Sequence, residues 1–330
     1  MISNHFDGMV YDDGNIQFTH SELQGVADVY GLGTIQGNPE PERGGLTNYN
    51  FRILTDNGDF NIRARKGESS AFDLRRKNIE YAVTDRLHEI GFYLDTPHFK
   101  STSAGVRPVT LEGKTYDTYG RLPGETKKVS PVGREKVIEA IARYHEAIND
   151  LTGRDSVPVP ESYDENGWLG QRLKAIRDKV QNPKTSLDGA MQANIPFVID
   201  TYHALRTGAK PNPASVVVHG DINPGNLLYQ NERLTGLIDF GNVRWGTKEG
   251  DLAKLTRGDP EQLAELVNRY RAHNDLSDQE IANILPERIL GLIHGIRWLY
   301  EDMARSPEIK ESMLDHHMKR LQEASKYWGE

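Results

Sequence analysis

No cysteine occurs anywhere in the 330 residues. Disulfides, thiolate metal sites and a cysteine nucleophile are therefore excluded, and the absence fits a reducing cytoplasm. No run of 18 or more apolar residues exists. The opening Met1-Ile-Ser-Asn-His-Phe-Asp lacks the basic start and apolar centre of a secretory leader, so neither a membrane span nor export is expected. A basic excess is also missing: 40 Lys and Arg stand against 48 Asp and Glu, a net charge of −8. That balance argues against a general nucleic-acid binder and mildly favours cationic small molecules. There is no internal repeat and no low-complexity segment. The length allows a sizeable core and a division into two lobes.

The first helix is announced by Thr19-His-Ser-Glu22, a capping-box pattern, and runs through Leu23, Val26, Ala27 and Tyr30 to Gly31. Gly31-Leu-Gly33 with Gly37 superficially suggests a dinucleotide fingerprint. It fails on spacing, on following a helix and on the prolines 39 and 41 that come next. Residues 50–55 and 60–65, joined by Asp56-Asn-Gly58, read as a β-hairpin. A helix is expected over 72–90, with Leu74, Ile79, Val83 and Leu87 on one face and Gly91 as its stop. Short strands come next over 106–111 and 115–119. The loop Leu122-Pro-Gly-Glu125 marks a change of composition. Beyond it, helices are expected over 134–151, 168–180, 194–205 and from about 262 onward, interrupted by strand pieces at 216–218, 226–229 and 234–239. The fold class is α+β.

The interruption carries the chemistry. His219-Gly-Asp-Ile-Asn-Pro-Gly-Asn226 is followed by Leu237-Ile-Asp-Phe-Gly241. Asp221 and Asn226 stand in the D-x-x-x-x-N spacing that kinase loops use for a base and a metal-holding Asn, and Asp239 opens an Asp-Phe-Gly. Strands 226–229 and 234–239 should pair around Gln230-Asn-Glu-Arg233. With the turn centred on Asn231 to Leu234, Asn226 falls opposite Asp239 and apart from Asp221. One Asp and one Asn suit Mg²⁺, which completes its oxygen shell with water and substrate phosphates. Asp221 then takes or orients the proton of an attacking hydroxyl. His219 is expected to order the loop. Upstream, Gly44-Gly45 precedes a strand and can let backbone N–H groups approach phosphates. Arg63 can pair phosphates while held by Glu80 on the next helix. Arg65 competes for that role, because alternation puts it on the same strand face.

Together these segments resemble the aminoglycoside phosphotransferase / choline kinase family of small-molecule kinases. His219-Gly-Asp221, Asn226 and Ile238-Asp239 match its catalytic and metal segments, and Trp245-Gly246 and Asp251-Leu-Ala253 match the residues usual downstream of them. Gly44-Gly-Leu-Thr-Asn48 through Arg63 resembles its nucleotide loop and strand pair, with Glu80 placed as expected before Gly91. Pro123-Gly124 and Tyr144-His145 resemble the hinge exit and the helix beyond. Tyr30-Gly-Leu-Gly33 and the Gly44 segment are similar to homoserine-kinase-like members, whereas Asn242 after the Asp-Phe-Gly departs from them. The resemblance spans about residues 20–255. It implies a bilobal protein-kinase-like fold, with residues 1–122 as a β-rich nucleotide lobe and hinge and 123–330 as a mainly helical catalytic and acceptor lobe. It also implies ATP and Mg²⁺ as cofactors, Asp221 as base, Asn226 and Asp239 as metal ligands, and Gly44, Gly45, Asn48, Arg63 and Glu80 as the nucleotide site. Many members have Lys where this chain has Arg63.

The implied reaction moves a γ-phosphate to a hydroxyl of a small molecule such as a homoserine-like amino alcohol, an amino sugar or an aminoglycoside. On the acceptor side, Ile289, Leu292, Ile293, Ile296, Leu299, Tyr300 and Met303 form a core stripe at helical spacing. His294, Trp298 and Glu301 share another face, either as pocket lining or as a half-buried Trp among solvated polar groups. Two readings compete. A protein Ser/Thr kinase is disfavoured by Gly220, where those enzymes usually have Arg, and by Asp259-Pro-Glu261 standing in for an Ala-Pro-Glu. A non-catalytic nucleotide-binding protein is disfavoured by the intact Asp221, Asn226 and Asp239.

Overall fold

A computed structural model of the chain describes residues 8–12, 16–42, 48–66, 71–126, 131–149, 151, 167–208, 212, 216–303 and 306–328. It contains two compact units. The first comprises Met1–Glu125, Leu228–Gln230 and Thr235–Asp239, and the second Thr126–Leu227, Asn231–Leu234 and Phe240–Glu330.

In the first unit β1 (Met9–Asp12) pairs with β2 (Gln17–Thr19), which leads into α1 (His20–Val29). The Thr19 hydroxyl accepts the Glu22 N–H and closes the helix start. The main antiparallel sheet has the order β3 (Glu40–Glu42), β4 (Tyr49–Thr55), β5 (Gly58–Lys66), β7 (Lys114–Gly120), β6 (Val109–Leu111). The β4–β5 register sets Thr55 opposite Gly58, so Asp56-Asn57 make the turn. Strand alternation then divides the residues between two faces. Phe51, Ile53, Ile62, Ala64 and Tyr116 pack with α1 in one core. Arg63 lies on the opposite face, directly across from Asp117 of β7. The helix expected over 72–90 is α2 (Ala71–Glu89). Ile79, Val83 and Leu87 are buried as expected, but Leu74 is 40 % exposed.

The second unit is mainly helical: α3 (Pro131–Ala147), α4 (Trp168–Lys179), α5 (Ser186–Gly208), α6 (Lys248–Leu252), α7 (Pro260–Arg271), α8 (Asp278–Glu301) and α9 (Pro307–Ser325). Helices α4, α5, α8 and α9 share one apolar core, and the stripe from Ile289 to Met303 is buried as its spacing predicts. Helix α5 begins eight residues earlier than expected, since Ser186 precedes Asn194 by eight. Pro196 lies inside the helix, where burial of Leu187, Met191 and Ile195 outweighs the lost hydrogen bond. No described helix is long and apolar enough to cross a membrane. The α+β class, with a β-sheet region followed by a helical one, is the architecture of the chain.

Strands β9 (Val216–Val218) and β12 (Arg244–Gly246) pair antiparallel. Strands β10 (Leu227–Gln230) and β11 (Arg233–Leu237) form a sheet with β8 (Glu125–Thr126). The β10–β11 turn is Asn231-Glu232, both at positive φ (49° and 63°), the signature of a two-residue hairpin loop. The sequence suggests a turn centred further along, so the register differs by two residues from the one that puts Asn226 opposite Asp239.

Candidate active site

The segment after β9 is held by one buried carboxylate. Asp251 of α6 accepts the backbone N–H of His219 and of Gly220, both at 2.8 Å, and its Oδ2 lies 3.2 Å from His145 Nε2. His145 in turn meets the Tyr270 hydroxyl at 2.8 Å through Nδ1. Burial alone would raise the Asp251 carboxyl. The hydrogen bond and charge of His145, helped by His219 and the Gly220 N–H, instead hold it down at about 2. A carboxylate kept ionised in this way fixes two successive backbone amides. Gly220 has φ 76°, and a Cβ there would stand 2.2 Å from Arg244 Nη1 and 2.4 Å from the Asn242 carbonyl. Only glycine fits that position. The arginine usual in protein kinases is therefore excluded by backbone crowding.

Asp221 projects from this fixed turn with its side chain 33 % exposed. Its backbone N–H donates to His219 Nδ1 at 3.3 Å, and the His219 ring packs 4.7 Å from Phe240. Asn226 closes a short turn over Pro224–Asn226, capped by the Asn223 side chain at Gly225 N. Its Nδ2 donates to the Asp221 carbonyl at 2.7 Å and to Asp221 Oδ2 at 3.2 Å. Asn226 is thus in direct contact with Asp221, contrary to the sequence expectation that the two stand apart. Lys254, just past α6, donates to the Gly220 carbonyl at 2.5 Å and lies 3.5 Å from Asp221 Oδ1. The carboxylate is oriented on both oxygens yet remains open on the side facing solvent. This suits a proton acceptor that must meet a substrate hydroxyl.

The first unit contains a different arrangement. Arg63 grips Glu80 bidentately at 2.8 and 3.0 Å and also donates to Asp117 at 2.9 and 3.2 Å. Lys77, one turn before Glu80, reaches Asp117 at 2.5 Å and Glu80 at 3.1 Å. The Tyr81 hydroxyl donates to the other Asp117 oxygen, and the Arg63 guanidinium lies 4.7 Å from the Phe99 ring centre. Burial would raise the Glu80 and Asp117 carboxyls, but Arg63 and Lys77 together hold both below the usual carboxylate range. Two cations balance two anions. Arg65, half-buried on the same strand face, bonds Asn48 Oδ1 at 3.0 Å. Asp239, exposed and at φ 61°, comes after β11 in this unit. Gly44 and Gly45 lie outside the described residues.

A family described as the phosphotransferase enzyme family matches residues 40–283, a span that includes both groups of residues. The chain belongs to that family. An aminoglycoside 3'-phosphotransferase of Streptomyces ribosidificus is 29 % identical over 44 % of this chain and 57 % of its own length. A homoserine kinase of Sinorhizobium fredii (strain NBRC 101917 / NGR234) is 27 % identical over 70 % of this chain and 64 % of its own length. The chain thus spans less than two thirds of either curated relative. A crystal structure of a spectinomycin phosphotransferase in complex with ADP and spectinomycin matches with a TM-score of 0.66 at 17 % identity, over 92 % of this chain and 93 % of that one. At that identity the likeness concerns the fold, which is the family's protein-kinase-like one.

Family membership explains why the Asp221 and Arg63 groups were visible in the sequence, since each carries residues of a known spacing. Asp117, Lys77 and Lys254 were not visible. Asp117 sits in a strand buried on both faces, between Tyr116 and Thr118, and a lone charge there is the one signal that could have found it. Lys254 gives no such signal, because its relation to Asp221 arises only when α6 packs beside β9. Of the residues read at helical spacing on α8, Glu301 pairs with Arg172 at 2.6 Å. His294 stacks on Trp168 with ring centres 6.2 Å apart. Both are engaged with α4, which is the packing role rather than the pocket role.

Proposed function

We propose that this chain is an ATP- and Mg²⁺-dependent phosphotransferase that moves the γ-phosphate to a hydroxyl of a small amino-bearing molecule: a homoserine-like amino alcohol, an amino sugar or an aminoglycoside. The observation that carries the reading is Asp221, a partly exposed carboxylate on a turn whose backbone is fixed by Asp251 and whose two oxygens face Asn226 and Lys254. Residues 1–122 serve the nucleotide and 123–330 the catalysis and the acceptor, in a protein working in the cytoplasm.

The donor chemistry fits a hard cation. Asn226 commits Nδ2 to Asp221, which leaves its carbonyl oxygen for a metal, and Asp239 supplies a carboxylate. Among the described residues no group of three or more His, Asp or Glu could hold a metal ion by itself, so Mg²⁺ would complete its shell with phosphate oxygens and water. When bound, Mg²⁺ neutralises charge on the transferring phosphates. Asp221 accepts the proton of the attacking hydroxyl as the new O–P bond forms and the bond from the γ-phosphorus to the β,γ-bridging oxygen breaks, with ADP as the leaving group. Asn226 and Lys254 hold the Asp221 carboxylate in one orientation, and Lys254 adds positive charge where phosphate oxygens gather. On the nucleotide side, Asn48, Arg63 and Glu80 build the support of the phosphate site. Arg63, already balanced by two carboxylates, sets the strand and helix in place, and Arg65, bonded to the neutral Asn48, brings the cation to the phosphates.

The test is ADP release measured over homoserine, amino sugars, choline-like alcohols, sugars and aminoglycosides. Turnover with one acceptor class, lowered at least about a hundredfold in Asp221→Asn, is the expected result. Transfer to protein substrates alone would replace the proposal with a protein kinase, and nucleotide binding without any transfer would replace it with a non-catalytic protein.

A further inference from the structure

The helical unit contains a buried guanidinium that the proposed reaction does not use. Arg288 of α8 is only 8 % exposed, and its Nε and Nη2 have no hydrogen-bond partner among the described residues. Buried Arg is rare unless paired, and a buried charge without an acceptor is destabilising. The two orphaned nitrogens form one edge of the guanidinium, which offers parallel N–H groups to an oxyanion. Elsewhere in this chain the same edge is occupied: Arg52 uses Nε and Nη2 on Asp59, and Arg172 uses them on Glu301.

The surroundings of Arg288 are cationic. Helices α8 and α9 pack antiparallel. Gly295 lies against the His317 ring, and the Gly258 turn touches both Leu285 and Ala324. Arg288 falls between Leu285 and Gly295 on α8, and Arg320 falls between His317 and Ala324 on α9, so the two face each other. Arg257 comes with the Gly258 turn. Burial first, then the charge of Arg320, bring Arg288 down to about 9. Arg320 is lowered by burial and by Arg257, against which Glu323 acts. His317, whose Nδ1–H donates to the Met313 carbonyl at 2.9 Å, is lowered mainly by burial and further by His316, Arg320 and Arg288. Three arginines thus stand against one glutamate.

We propose that Arg288, with Arg320 facing it and Arg257 next to Arg320, binds a phosphate-class oxyanion where α8 and α9 meet the Gly258 turn. The guanidinium edge takes two oxygens of the anion, and Arg320 and Arg257 neutralise the remainder. The Arg257 segment continues directly from the turn that carries Lys254, so occupancy restrains the chain beside Asp221 without touching it.

Thermal melting and calorimetric titration test this, with inorganic phosphate and glycerol phosphate as probes and sodium chloride matching the ionic strength. The full chain is compared with Arg288→Met, Arg320→Gln and, as control, Arg172→Met. The native protein should show a saturable rise in melting temperature with phosphate that chloride does not reproduce. The rise should be lost in Arg288→Met, reduced at least several-fold in Arg320→Gln and kept in Arg172→Met. In phosphate-free buffer Arg288→Met should melt no lower than the native protein, since it removes an unpaired buried charge. If inorganic phosphate acts at the lower concentration the site takes the free ion, and if glycerol phosphate does it takes a phosphomonoester. No saturable rise, or an equal rise in Arg288→Met, would overturn the proposal.

Discussion

The two units place carboxylates in opposite situations. Around Arg63, Glu80 and Asp117 are buried and each is held by Arg63 and Lys77. Asp221 instead stands a third exposed, oriented by an amide and an ammonium that do not enclose it. The first group is charge-balanced and dry, so its carboxylates serve the arrangement of β5, β7 and α2. The second leaves one carboxylate able to exchange a proton with something that enters from solvent. Both units contain a conspicuous acid–base cluster, and partner geometry separates the confined one from the one open to solvent.

The largest expected effect tests the second half of that comparison. Asp221→Asn should melt as the native protein does and lose about 10²–10⁴-fold in turnover, read by ADP release. Turnover near the native level would remove Asp221 from the role of base. Next comes the first half. Asp117→Asn leaves Arg63 and Lys77 buried with one carboxylate and should cost about 3–5 kcal/mol of stability, read from urea unfolding; a loss below about 1 kcal/mol would show the cluster to be dispensable.

A third prediction concerns an acid that resembles neither. Burial, then the neighbouring Glu249, push the Glu287 carboxyl up to about 7. Its pKa is raised on folding, so its contribution is fully present below about 4.5 and lost as pH climbs through about 7. Glu287→Gln should remove about 2–3 kcal/mol of that fall, visible as a flatter unfolding midpoint between about pH 5 and 8. An unchanged slope would count against it. The smallest effect belongs to Lys254→Met. Its ion pair is partly exposed, so stability should barely change, whereas kcat should drop about tenfold, or about 1.4 kcal/mol. A loss in stability with kcat intact would make Lys254 structural.

How much of this the sequence made legible depends on the range of each interaction. The Thr19 cap, the β4–β5 hairpin and the stripe from Ile289 to Met303 are local patterns of period 2 or 3.6, and all three are present. Asp221 and Asn226 were legible because their spacing is short and fixed along the chain. The contact between them was not foreseen, since it depends on the turn at Pro224–Asn226. The β10–β11 register was misread because Asn231 and Glu232 adopt positive φ, which their side chains do not announce as a glycine would.

The sequence by itself determined the family and the α+β class and singled out Asp221 as the candidate base, because those rest on residue types at short fixed spacings. Tertiary structure decided which charges are confined and which are available. Asp117 reaches Arg63 across 54 residues and Asp251 reaches the His219 turn across 32, while Nε and Nη2 of Arg288 are left without an acceptor among the described residues. Those outcomes depend on burial and on partners brought together by packing, and neither property belongs to a residue until the chain has folded around it.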